Sequence, residues 1–186
     1  RTKVGMNLEK VFNAILMRDY EYVYNKLDDG FKNNYSMNDQ EVKEAVKIYR
    51  RRYEEKGIYE ATSYQGIPEL LKKLKDNNYK TAVATLKLEK FAKKMLRDQN
   101  IDQYFDLIYG TNQEDSLKKH DLINKAVSTL NIEKNKVVLI GDSFYDSVGA
   151  KTANVDFIGV SYGLGFQNDA QIKQGYYTDC ASSVIE

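Results

Sequence analysis

The chain has 186 residues, and its 28 Lys and Arg almost balance its 27 Asp and Glu. This balance gives no reason to expect a nucleic acid or an acidic membrane surface as a partner. A chain of this length can enclose a hydrophobic core, as one domain with an insert or as two small domains. The single cysteine, Cys180, cannot form an internal disulfide, and the sequence has no apolar run of membrane-spanning length. We therefore expect a cytoplasmic globular protein, and the oligomeric state stays open.

The first third of the chain carries the pattern of helices. From Leu8 to about Lys56, apolar residues recur at three- and four-residue spacing, which is typical of amphipathic helices. Asn38 or Asp39 can cap the last of these helices, which we expect to end near Gly57. No segment in this region predicts a strand. We therefore predict a small all-helical domain over residues 1–62.

After Gly66 the pattern changes, and apolar segments that predict strands alternate with amphipathic segments that predict helices. The predicted strands are 81–85, 105–109, 137–140, 155–160 and 176–178, and the predicted helices are 69–77, 88–99, 119–130, 147–152 and 169–174. This alternation is typical of an α/β fold with a mostly parallel, Rossmann-like sheet and helices on both faces. We place this core domain at residues 63–186.

The run from Val137 to Asp146 is the most informative segment. Its four apolar residues, 137–140, predict a strand buried on both faces, because parallel strands covered by helices lose the apolar–polar alternation. Asp142 and Asp146 follow that strand. Ligands of open α/β sheets bind just outside the carboxyl ends of the strands, and carboxylate oxygens suit Mg²⁺. An Asp that only caps a helix is the competing interpretation of this segment.

Two other predicted elements carry groups that suit an anion. Thr85 ends a predicted strand just before a helix, and its hydroxyl with the backbone N–H of Leu86 predicts an anion seat. Lys118 and Lys119 open a later helix, where a cation opposes the helix dipole and so suggests a phosphate or carboxylate partner. Taken singly, a capping Thr and solvated Lys residues are the commoner interpretations. Together with the carboxylates, they suit the task of holding a phosphoryl group during displacement.

These segments resemble the motifs of a known family. In order and spacing, Val83–Lys87, Lys119 and Gly141–Asp146 are similar to the second, third and fourth motifs of the haloacid dehalogenase superfamily. The segment Ile48–Gly57 resembles the last long helix of that family's cap. The likeness covers essentially the whole chain and is greatest to the phosphoglycolate-phosphatase-like branch with a helical cap.

The resemblance implies a Mg²⁺-dependent phosphatase that acts on a small phosphorylated metabolite through a phospho-aspartyl intermediate. By this resemblance Thr85 binds the phosphate, and Lys119 orients the nucleophile and the phosphate. Lys118 takes that role if the register differs by one residue. Asp142 is implied as the Mg²⁺ carboxylate, and Asp146 supports the metal site through its water shell or through Lys119.

One motif of that family has no counterpart in these residues. The family's first motif is an Asp-x-Asp pair whose first member attacks phosphorus, and the sequence contains no Asp-x-Asp. In the family, the strand before this motif lies between the strands predicted here at 81–85 and 137–140. Without it, two apolar strand edges would be left unpaired, so we expect roughly 50 further N-terminal residues in the parent protein. The alternative is a catalytically incomplete fragment or a non-catalytic binding module of the same fold.

Overall fold

The computed structural model describes residues 39–113, 116–166 and 176–178. The chain divides into two units, Arg1–Ala61 and Thr62–Glu186. This division lies close to the boundary predicted between a helical domain and an α/β domain. The helices predicted before residue 39 fall outside the described residues, so the all-helical domain stays a prediction.

The described part of the first unit is a helix with a compact end. Helix α1 spans Asp39–Glu55 and is followed by a 3₁₀ turn at Gly57–Tyr59. The ring of Tyr53 lies against Gly57 and leaves no room for a Cβ atom there. Burial raises the pKa of the Tyr53 hydroxyl to about 12. The helix ends before Gly57 as predicted, but glycine is needed there for close packing against Tyr53 and not for a left-handed backbone.

The second unit is an α/β core in which helices alternate with parallel strands, and the predicted fold class is confirmed. Its strands are β1 Ala82–Leu88, β2 Leu107–Thr111, β3 Val138–Gly141, β4 Asp156–Val160 and β5 Tyr176–Thr178. Its helices are α2 Ile67–Asp76, α3 Glu89–Asp98, α4 Lys119–Leu130 and α5 Phe144–Ala153. The helix predicted at 169–174 lies outside the described residues. No helix in the described ranges is long and apolar enough to cross a membrane.

The described strands form two parallel sheets, β1–β2 and β3–β4–β5. Within the described residues β1 does not pair with β3, so each strand has one edge without a ladder partner there. The core of the unit lies on the helices α4 and α5 and the strand β4. Its buried cluster consists of Ile123, Val127, Ala150, Ala153, Val155, Phe157 and Phe166, and Ala84, Val137 and Leu139 pack against it.

Strand β3 is buried on one face, which corrects the prediction of a strand buried on both. Leu139 packs against the core cluster. Its neighbours Val138 and Ile140 are 45% and 38% exposed. Successive side chains of a strand point to opposite faces, so one face of β3 lies on the core and the other is partly exposed.

Strand β1 is longer than its sequence predicts. It continues beyond Thr85 to Leu88, and its register with β2 shifts between these two residues. The helix that follows begins at Glu89. Residues 86 and 87 therefore lie outside the regular ladder, as in a β-bulge. Bulges are common next to functional sites, where they change the direction of a side chain.

The amino ends of β1 and β2 are joined by Asp106. Its carboxylate accepts a hydrogen bond from the backbone N–H of Thr81 at 2.9 Å, and its own N–H donates to Thr81 O at 2.9 Å. Lys80 lies 3.3 Å from the same carboxylate. The Thr81 N–H, helped by Lys80 and Lys75 against the opposing effect of burial, lowers the pKa of Asp106.

We predict that Asp106→Ala lowers the free energy of unfolding by about 1–3 kcal/mol at pH 7, because a buried N–H loses its charged acceptor. A carboxylate with a lowered folded-state pKa stabilises the fold above its unfolded pKa of about 3.9 and loses this effect as pH falls through the folded value. The difference between wild type and variant should therefore shrink only below about pH 4. Urea unfolding at pH 7 and at pH 3 measures it, and an equal difference at both values contradicts the account.

Candidate functional site

Lys119 links strand β1 to helix α5. It is the first residue of α4, and its ammonium group lies 3.2 Å from the carbonyl oxygen of Ala84 in β1. The same ammonium lies 2.8 Å from Oδ1 of Asp146 in α5, the helix that follows β3. The side chains of Lys119 and Asp146 are only 12% and 10% exposed. A cation at the start of a helix is disfavoured by the helix dipole. The ammonium group of Lys119 is stabilised there by a buried carboxylate and a strand carbonyl.

Lys118 has different surroundings. It is exposed and precedes α4, and its backbone N–H donates to Oδ2 of Asp121 at 2.9 Å. This is the geometry of a helix cap, in which the backbone and not the ammonium group is used. Of the two neighbouring lysines, Lys119 is the one whose ammonium group lies between β1 and α5.

Both oxygens of Asp146 have partners within the protein. Oδ1 faces Lys119, while Oδ2 accepts from the Ser143 N–H at 3.1 Å and from the Ser143 hydroxyl at 2.6 Å. The Asp146 N–H in turn donates to Ser143 Oγ at 3.3 Å, which completes a capping box at the start of α5. Asp146 therefore caps the helix, which was the competing interpretation of this segment, and it also holds Lys119.

Asp142 is held by the loop after β4. Its Oδ2 accepts hydrogen bonds from the backbone N–H groups of Leu164 at 2.7 Å and Gly165 at 3.1 Å. Its carbonyl oxygen accepts from the N–H of Phe166 at 2.6 Å. Oδ1 of Asp142 accepts no hydrogen bond from any residue that the structure describes. The loop therefore fixes one of the two carboxylate oxygens.

Two glycines allow these side chains to reach their places. A Cβ atom at Gly149 in α5 would collide with the Lys119 side chain, and one at Gly163 would collide with the Asp142 carboxylate. Gly163 and Gly165 lie in the turn that follows β4. The structure places that turn directly on Asp142, where glycine allows a close approach.

Thr85 lies one residue beyond the carbonyl that binds Lys119. Its hydroxyl accepts a hydrogen bond from the Lys87 N–H at 3.2 Å, across the irregular segment of β1. The side chain of Leu86 is buried, so only its backbone can serve an anion. The Thr85 backbone therefore directly follows the carbonyl group that accepts from Lys119.

The groups that hold the site in place leave little trace in the sequence. The carbonyl of Ala84 and the N–H groups of Leu164 and Gly165 act through the backbone, which residue identity does not reveal. The Ser143-x-x-Asp146 spacing was readable as a capping box. The contact that requires Gly149 depends on how α4 packs against α5, so no local pattern contains it.

Comparison with known proteins gives the same family as the motifs and the geometry. The family model described as haloacid dehalogenase-like hydrolase matches residues 7–160. The chain belongs to this family. A solved structure of a haloacid dehalogenase-like family hydrolase from Streptococcus pneumoniae is 27% identical, with a TM-score of 0.77 over 97% of this chain and 88% of that one. The likeness confirms the fold and the family predicted from the motifs.

Two curated relatives of this haloacid dehalogenase-like protein have enzymatic names. A 5'-nucleotidase from Pseudomonas aeruginosa is 32% identical over 77% of this chain. A phosphoglycolate phosphatase from Colwellia psychrerythraea is 31% identical over 69% of this chain, in agreement with the branch predicted from the sequence. The chain spans 66% and 57% of the lengths of these two relatives.

We predict that Gly149→Ala destabilises the fold by about 1–3 kcal/mol, because the added methyl group overpacks the contact with the Lys119 side chain. The matched control is Val148→Ala on the same helix, where the side chain is exposed and its loss should change little. Urea unfolding of the two variants measures the difference. Equal stability of Gly149→Ala and wild type would show that Lys119 does not require this space.

Proposed function

We propose that this protein is a Mg²⁺-dependent phosphatase that hydrolyses small phosphorylated metabolites through a phospho-aspartyl intermediate. The observation that carries the proposal is the position of the Lys119 ammonium group between Ala84 O and Asp146. Ala84 is the chain neighbour of Thr85, and Asp146 lies four residues after Asp142. The proposed site thus takes a hydroxyl from β1, a cation from the start of α4 and a carboxylate with one open oxygen from the segment after β3. The names of the two curated relatives support the same reaction class.

In this proposal each described residue has one task. Thr85 and the backbone N–H of Leu86 hold the phosphoryl oxygens, and the Lys119 ammonium neutralises part of their charge. Asp146 does not touch the substrate; it keeps Lys119 oriented through the 2.8 Å ion pair. Since that orientation exists before substrate binds, the site does not need to reorganise during the reaction.

The chemistry of Asp142 supports a Mg²⁺ site that one carboxylate holds together with substrate and water, since the described residues contain no cluster of three or more His, Cys, Asp or Glu. This ion takes oxygen ligands, keeps several waters and is often held by one or two carboxylates together with substrate phosphate. Asp142 has one oxygen fixed by backbone N–H groups and one open, whereas both oxygens of Asp146 are taken. We therefore assign Asp142 as the direct ligand and Asp146 as its indirect support. When bound, Mg²⁺ would add Lewis-acid neutralisation of the phosphoryl charge.

The nucleophile of this reaction is implied by the family resemblance alone. Its carboxylate would attack phosphorus, the alcohol would leave with a proton from a neighbouring acid, and water would then hydrolyse the acyl phosphate. The competing function is a phosphate-binding module without turnover. It is favoured by the lack of an Asp-x-Asp pair in these 186 residues.

We predict that Lys119→Ala lowers kcat/KM for an aryl phosphate in the full-length protein by roughly a hundredfold or more, because a preorganised charge at the phosphoryl group is lost. Lys118→Ala is the matched control and should retain wild-type activity, since its side chain is exposed. Asp142→Asn should lower activity to a similar extent and weaken the affinity for Mg²⁺, so that more Mg²⁺ is needed for half-maximal activity.

Stability is measured alongside, because Lys119→Ala leaves the buried Asp146 without its partner and can destabilise the fold. Asp142→Asn avoids this problem and keeps an acceptor for the loop N–H groups. Equal losses in Lys118→Ala and Lys119→Ala would contradict the assignment of Lys119. Full activity of Asp142→Asn would contradict the proposed metal ligand, and wild-type protein without turnover would favour the binding module.

A further inference from the structure

Two tyrosine rings meet in the second unit. Tyr64 lies in the segment that leads into α2, and Tyr162 lies in the loop after β4. Their ring centroids are 5.4 Å apart, and the ring planes are inclined at 62°. An edge-to-face pair of this kind forms a corner in which a further planar group can stack on one ring and meet the other. We call these two residues the tyrosine corner.

The tyrosine corner is connected to the site through Asp142. Tyr162 is the chain neighbour of Gly163, whose backbone lies against the Asp142 carboxylate. Burial raises the pKa of the Tyr64 hydroxyl, and the negative charge of Asp142 raises it further. The Tyr64 hydroxyl therefore lies within electrostatic reach of the same carboxylate. The rings therefore lie beside the group assigned to hold Mg²⁺.

The Tyr64 side chain is 45% exposed, so a large part of its surface is available to a ligand. Exposed tyrosines are common, and Tyr79, which is 60% exposed, is another in the same unit. Tyr79 precedes β1 at its amino end, whereas Thr85 lies in the middle of β1 and Asp142 follows the carboxyl end of β3. Position beside the site is what distinguishes Tyr64 from Tyr79.

We propose that the tyrosine corner binds the aromatic part of the leaving group, so that the preferred substrates are phosphomonoesters of the nucleoside monophosphate class. This inference rests on the proposed phosphatase function. A nucleobase is planar and is joined to the phosphate through a sugar, so it can contact a ring beside the site while the phosphate reaches Lys119. Base–aromatic stacking tolerates different bases because each base has a π-face, so selectivity among bases is expected to be weak.

The test compares adenosine 5'-monophosphate with ribose 5-phosphate, which lacks only the base, in the full-length protein with Mg²⁺. We expect kcat/KM and binding affinity to favour the nucleotide by roughly tenfold or more, the usual effect of one base–aromatic contact. In Tyr64→Ala this ratio should fall close to one. Tyr64→Phe should keep most of it, because stacking does not need the hydroxyl. Tyr79→Ala, the matched control, should behave as wild type.

Binding is measured separately from turnover so that two failures are distinguishable. Equal constants for the two compounds in wild type, or an unchanged ratio in Tyr64→Ala, overturn the inference and leave the phosphatase function standing if both are hydrolysed. Tighter, Tyr64-dependent binding of the nucleotide without hydrolysis of either compound supports the tyrosine corner and overturns the phosphatase function. Thermal unfolding confirms that Tyr64→Ala is folded.

Discussion

The ion pair between Lys119 and Asp146 is the interaction on which the described core depends most. It joins β1, through the carbonyl of Ala84, to α5, which follows β3, although these strands share no hydrogen-bond ladder in the described part of the chain. Both side chains are largely buried, and removal of one partner of such a pair typically costs about 3–5 kcal/mol, because the other charge stays buried alone. The same pair thus serves the architecture and orients the cation of the proposed site.

The remaining polar groups are positioned in the same way, by partners that are already in place. The Ser143 capping box fixes Asp146, and two loop N–H groups fix one oxygen of Asp142. Groups aimed in advance at the place where charge is to be stabilised are more effective than groups that must reorganise. Glycines at 149 and 163 are part of this arrangement, because any larger residue would occupy the space of Lys119 or Asp142.

Much of the fold followed from the sequence, since the alternation of apolar and amphipathic segments after Gly66 predicted the parallel α/β core. The burial of β3 did not, because a run of four apolar residues cannot show whether both faces of a strand are covered; Val138 and Ile140 are half-exposed. The residues proposed for the site were found from their motifs. Their supports were not, because backbone donors and helix–helix contacts leave no mark on local residue identity.

The roles of the site residues rest on one claim, that Lys119 and Asp142 act together on a single phosphate group with Mg²⁺. The most direct measurement is calorimetric titration of Mg²⁺ into the full-length protein with and without inorganic phosphate. If both ligands share the site, each should tighten the binding of the other by the same factor, typically about 5- to 150-fold. Equal Mg²⁺ affinity with and without phosphate, or no Mg²⁺ binding, would contradict the account.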